Sequence, residues 1–225
     1  MQTISLLAQK GGTGKTTLVL SLAVAAVRAG RTVAVIDLDP QASAGNWADR
    51  RALKEAPAVV SAHVPRLLSV IDTARQNGVD LLLIDTPGKS EQAALAAAKA
   101  ADLVLIPCRP QIYDIETLAS TKEIIELAGG RPTFVILNAV PPQGRRHEEA
   151  KAAIEEMGLA VCPVAFVQRA AFGDAPNAGQ SATEFEPGGK AAQEILLVYK
   201  FVSNVLKKFS SEKLHGKTRS ASRVA

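Results

Sequence analysis

Gln9-Lys10-Gly11-Gly12-Thr13-Gly14-Lys15-Thr16-Thr17 follows the apolar run 3–8, and this stretch decides the fold. A strand-like run that breaks into a glycine-rich turn and restarts as Lys-Thr-Thr is built to hold phosphate. Glycines let backbone N–H groups close around an anion, and the helix that follows adds the partial positive charge of its N-terminus. In such a loop Lys15 reaches the β- and γ-phosphates of a nucleotide and the Thr16 hydroxyl ligates Mg²⁺. Gly11, Gly12, Thr13, Gly14 and Thr17 supply the rest of the cradle. The pattern departs from G-x-x-x-x-G-K-[ST] in two places: Gln9 stands where the first glycine belongs, and Lys10 adds a second lysine.

Working outward, apolar runs alternate with helical patterns along nearly the whole chain. Strand-like runs fall at 3–8, 32–36, 79–84, 103–107 and 132–137, with weaker ones at 58–61 and 159–166. Helical periodicity occupies 15–29, 64–76, 90–100, 114–127, 145–157 and 188–209. Strands apolar on both faces and separated by helices predict an α/β fold: a doubly wound, mostly parallel sheet with helices on both faces. We expect one domain over residues 1–209 and a basic, flexible tail over 210–225.

Ligands bind at the carboxyl ends of the strands in such a sheet. The polar residues ending each strand should therefore converge: the loop above, Asp37-Leu38-Asp39-Pro40-Gln41, Asp85-Thr86-Pro87-Gly88 and Asn138. Asp85 closes Leu81-Leu82-Leu83-Ile84, an apolar strand plus acid. Its expected task is to hold a Mg²⁺-bound water while Thr16 touches the metal directly.

The 225 residues are 47% hydrophobic and 21% charged, enough for a sizeable core and against disorder. Aromatics at 4% argue against stacking platforms for single-stranded nucleic acid. Of 26 Lys/Arg and 22 Asp/Glu, seven basic residues and one acid lie within 200–225, so the positive excess belongs to the C-terminal end. That end is either a solvated terminus or an attraction for a polyanion. Cys108 and Cys162 sit in separate apolar runs and read as buried thiols of a reducing compartment. With no long apolar span and no leader before the first strand, the expected location is cytoplasmic.

The variant K-G-G-x-G-K-[ST] resembles the deviant Walker A loop of the ParA/MinD family of dimerising P-loop ATPases. The resemblance covers roughly residues 1–209. It implies ATP and Mg²⁺ as ligands, with Lys10 reaching across a nucleotide-dependent homodimer to the partner's nucleotide. Residues 37–41 look like its switch I, with Asp39 positioning the attacking water and Asp37 helping to organise the metal shell. Residues 85–88 look like switch II. Asn138 matches the family's adenine contact, although a strand-end asparagine also caps turns. Arg109-Pro110 with Asp114 resembles the family's P-x-x-x-D stretch, and residues 169–192 resemble the C-terminal block of small ParA proteins.

Beginning at the first strand, the chain looks like the short form without an N-terminal helix-turn-helix. The resemblance then implies a weak ATPase that coats double-stranded DNA without reading sequence, located on the nucleoid. A ParB-like or cargo-adaptor protein would stimulate it. Arg169, Lys200, Lys207 and Lys208 are the candidate DNA contacts. Two alternatives stay open. Ile195, Tyr199, Val202, Leu206 and Phe209 form an apolar stripe that either packs on the sheet or lies on a membrane, as in a MinD-like regulator. A dimer-bridging metal cluster would instead use the cysteines, which lack C-x-x-C spacing.

Overall fold

The computed structural model describes residues 1–51 and 56–221. Seven strands are found among them: β1 (Gln2–Leu6), β2 (Val33–Asp37), β3 (Ala58–Ser61), β4 (Leu81–Asp85), β5 (Leu103–Cys108), β6 (Thr133–Leu137) and β7 (Ala160–Val161). They form one sheet in the order β3-β2-β4-β1-β5-β6-β7, and every pairing is parallel. Every residue of β2, β4 and β5 is buried, as continuous apolar runs in a two-sided sheet require.

Side chains alternate across the sheet, so each strand feeds two cores. Leu81 and Leu83 join the core formed with α1 (Lys15–Arg28) and α9 (Lys190–Ala221). Leu82 and Ile84 join the opposite core, against α3 (Leu67–Gln76), α4 (Glu91–Ala100), α5 (Ile112–Leu127) and α6 (Arg146–Glu156). Each such fully buried side chain contributes about 1.5–3 kcal/mol over an exposed one. Three short helices, α2 (Ser43–Arg50), α7 (Ala170–Asp174) and α8 (Ala182–Phe185), lie on the α1 side.

Register positions the site. Leu6 and Asp37 both pair with Asp85, so β1, β2 and β4 end level and their loops emerge side by side. The Thr86 hydroxyl donates to the Leu6 carbonyl at 2.7 Å, tying the loop after β4 to the end of β1.

Three expectations change. The weak strand run 159–166 pairs as a regular strand only over Ala160–Val161; Pro163, with its fixed φ, follows directly after Cys162. The chain nevertheless follows β6, with Cys162 N donating to Val135 O at 2.8 Å and Phe166 N to Leu137 O at 2.9 Å. α2 was not expected: it is short, and its N-cap, Ala42, lies in the left-handed region at φ 50°. α9 continues past residue 209 to Ala221, so the backbone of 210–221 is helical; Arg223, a basic residue of the expected tail, lies outside the described residues. Of the apolar stripe on α9, Ile195, Val202 and Leu206 are buried in the core, with Tyr199 packed against it.

Candidate functional site

The loop after β1 makes its turns with Gly12 at φ 72° and Gly14 at φ 96°, a region that costs L-residues strain and glycine none. A β-carbon at Gly14 would also collide with the Asn138 amide. Gly88, from the loop after β4, packs so close that a β-carbon there would lie 2.9 Å from the Gly11 nitrogen. α1 starts at Lys15 with no side-chain cap and no acid in its first turn, so its partial positive charge faces the cleft unopposed.

Lys15 is buried, and its ammonium donates to the Lys10 carbonyl at 3.3 Å. Burial lowers its pKa, against the opposing pull of the Asp85 and Asp39 charges. The Thr16 hydroxyl donates to Asp85 Oδ2 at 2.6 Å. Asp85 is 1% exposed, and its pKa is pushed up to about 7. Burial is the main cause; the Thr16 hydrogen bond and Lys15 pull it down, while Asp37 and Asp39 push it up. Asp85 Oδ1 is buried and has no partner among the described residues. An orphaned carboxylate oxygen beside a threonine hydroxyl at the foot of a phosphate loop fits a hydrated Mg²⁺, which takes oxygen ligands and keeps several waters.

Asp37, also 1% exposed, is spent on backbone. Its Oδ1 accepts from Asp39 N at 3.0 Å, and its Oδ2 from Ala44 N at 2.9 Å and Gly45 N at 3.2 Å. It thereby shapes the loop after β2 and caps α2. Asp39 is half-buried, accepts from Gln41 N at 2.9 Å and lines the cleft beside Lys15 and Gly88.

Lys10 does not point into the phosphate cradle. It forms an ion pair with Asp114, in the first turn of α5; the Lys10 side chain is 38% exposed and that of Asp114 2%. Asp114 Oδ2 is buried without a partner among the described residues. From the ends of β5 and β6, Arg109 donates to the Gly12 carbonyl and Asn138 donates to the Thr13 carbonyl at 2.7 Å. The cleft has a volume of about 460 Å³, and its far wall is formed by Val167, Gln168, Arg169, Phe172 and Gly173.

Lys10, residues 11–17, Asp37, Asp39, Asp85 and Asn138 thus converge at one edge of the sheet. Arg169 lies in the cleft wall, paired with Glu194 through bonds of 2.9 and 2.5 Å. Lys200, Lys207 and Lys208 stand apart from the cleft, exposed on α9. Sequence reasoning assigned no role to Arg109 or Asp114; their signal was a basic residue at a strand end and an acid one helical turn later. Both cysteines are buried, and burial pushes the Cys108 thiol up to about 12 and the Cys162 thiol up to about 11. Among the described residues no group of three or more His, Cys, Asp or Glu side chains is placed to hold a metal. Nor is any helix of the described residues long and apolar enough to cross a membrane.

Residues 4–182 match the model of the CobQ/CobB/MinD/ParA nucleotide binding domain. The chain is 35% identical over 158 residues to the maintenance of carboxysome distribution protein A of Gloeobacter kilaueensis, covering 69% of this chain and 72% of that protein. It is 28% identical over 183 residues to protein ParA of Rhizobium radiobacter, covering 76% and 81%. An ATP complex of a McdA variant from Cyanothece shares the fold with a TM-score of 0.66 at 20% identity, over 91% of this chain and 96% of that one. Because that family model spans most of the chain, the chain belongs to the CobQ/CobB/MinD/ParA nucleotide-binding family, as an ATPase of the ParA/MinD type.

Proposed function

We propose that this chain is an ATP-dependent, dimerising partition or positioning ATPase. It binds DNA of any sequence in its ATP state and is released when a ParB-like or cargo-adaptor protein stimulates hydrolysis. The observation that carries the reading is Lys10: a lysine that the phosphate cradle does not use, held at the rim on a buried carboxylate. The relatives named for carboxysome distribution and as ParA support positioning over metabolic chemistry.

In this reading Lys15 and the N–H groups of residues 11–17 take the phosphates. Thr16 and Asp85 hold Mg²⁺, Asp85 through a water, and Asp37 keeps the neighbouring loop in place by its backbone bonds. When bound, the cation offsets charge on the terminal phosphoryl group. Asp39 orients the attacking water. Lys10 leaves Asp114, crosses to the partner subunit's nucleotide and stabilises charge in the transition state, as an arginine finger does. Turnover is slow alone because the catalytic set is complete only in the dimer. The exposed Lys200, Lys207 and Lys208 are the DNA contacts, joined by Arg169 if its pair with Glu194 opens. The cell compartment is the cytoplasm, on the nucleoid.

Sedimentation velocity with Mg²⁺ and a non-hydrolysable ATP analogue tests this. The wild-type chain should form a dimer, whereas Lys10→Ala should bind the analogue with near wild-type affinity and stay monomeric. A wild-type protein that remains monomeric at tens of micromolar, or a Lys10→Ala dimer, rejects the proposal. Co-sedimentation with random-sequence duplex should require the analogue; capture by anionic liposomes instead would replace DNA with a membrane surface.

A further inference from the structure

Arg109 and Asn138 are neighbours at the carboxyl edge of the sheet. Each is the first residue after its strand; Cys108 and Leu137 pair in register, and Asn138 N donates to Cys108 O at 2.8 Å. Their side chains reach consecutive carbonyls of the phosphate loop: Arg109 donates to Gly12 O, and Asn138 donates to Thr13 O at 2.7 Å. The loop contains two glycines at positive φ, the residue type with the most backbone freedom to lose. Within a trans peptide unit the C=O and N–H point in opposite directions. Pinning the Gly12 and Thr13 carbonyls therefore fixes the directions of the Thr13 and Gly14 N–H groups, donors that an anion in the cradle would use.

We propose that Arg109 and Asn138 are positioning residues that fasten the phosphate loop through the carbonyls of Gly12 and Thr13, so that its N–H groups are oriented before any phosphate arrives. The consequence for affinity rests on the reading of the cleft as a nucleoside triphosphate site; the consequence for loop order does not. Asn138 thereby acts on the polyphosphate end of the ligand. The Arg109 guanidinium reaches the loop through Nη2, while its buried Nε has no partner among the described residues.

The test uses the full chain with Arg109→Gln and Asn138→Ala. Amide ¹⁵N order parameters of Gly12, Thr13 and Gly14 are measured without ligand, and affinity is measured for Mg²⁺-ATP and for Mg²⁺-tripolyphosphate, which has no base or sugar. The wild-type amides should sit near the rigid value of about 0.85 and fall to about 0.6 or below in both variants. Affinity for ATP and for tripolyphosphate should drop together, by about tenfold, the scale of one lost hydrogen bond. Unchanged order parameters in both variants would overturn the proposal. So would an Asn138→Ala protein that loses ATP affinity while keeping tripolyphosphate affinity, since that residue would then be reading the base. A wild-type chain that binds neither anion defeats the nucleotide reading, while the order parameters still decide the fastening.

Discussion

Asp85 is a carboxylate whose folded position opposes its own charge. Its pKa rises from an ordinary 3.8 to about 7, because burial outweighs the help of Thr16 and Lys15. A carboxyl with a raised folded pKa binds more protons native than unfolded between those two values. Its contribution to stability is therefore present at low pH, falls as pH rises from about 4 to about 7, and stays lost above that. Asp85→Asn should raise the melting temperature of the ligand-free protein by several degrees at pH 8 and by only about a third as much at pH 5, while removing the Mg²⁺-dependent part of nucleotide affinity. Equal melting temperatures at pH 8 would show that the charge is not the strained feature. Asp39 differs: it is half-exposed, and its carboxylate accepts only a local bond, from Gln41 N two residues on, among the described residues. Asp39→Ala should keep ATP binding and the dimer while reducing single-turnover hydrolysis at least a hundredfold; a normal rate would remove Asp39 from its role.

At the scale of elements, α2 is a short helix tied at both ends. Asp37 holds its start. At its far end Arg51 makes two bonds to Glu184, at 2.9 and 2.6 Å, a third to Gly179 O at 3.0 Å, and lies 4.9 Å over the Trp47 ring. Trp47 in turn donates to Gln180 O at 3.1 Å. The loop bearing Asp39 is thereby joined to residues 179–184, just beyond the wall of the cleft. Burial pushes the Glu184 carboxyl up, but the hydrogen bonds from Arg51 and the Ser181 N–H, with the charges of Arg51 and Arg28, hold it below its ordinary value. Its stabilisation is therefore present above about pH 4.5 and lost as pH falls through that lowered value. Glu184→Ala strands a mostly buried guanidinium and should cost about 2–4 kcal/mol at pH 7, read as a lower urea midpoint. A midpoint equal to wild type would mean that the pair adds nothing.

For the whole molecule, the net charge of +4 understates the asymmetry, since the positive excess is gathered at the C-terminal end. In a two-fold dimer the exposed lysines of α9 appear twice, so a surface too weak in one subunit gains reach in two. If about six phosphates are neutralised, log K for duplex DNA should fall against log salt with a slope near −5, roughly independent of sequence. Lys207→Ala together with Lys208→Ala should flatten that slope by about 3 to 4 across two subunits. A slope near zero, or strong preference for one sequence, would count against backbone-only contact.

The cradle, the alternation of strands and helices, and the carboxylates closing β2 and β4 were legible in the chain because each is a local pattern. Their common destination followed from the rule that parallel strands end on one edge. The end of α9 and the existence of α2 were not legible. Nor was the fate of Lys10, whose partner Asp114 lies 104 residues away, or the reach of Arg109 and Asn138 to the loop's carbonyls. Local periodicity reports which face of an element is apolar; it carries no information about which polar side chains meet once strands are laid side by side. Order and register within the sheet decided those meetings, because a shift of one residue in a strand turns every side chain to the opposite face.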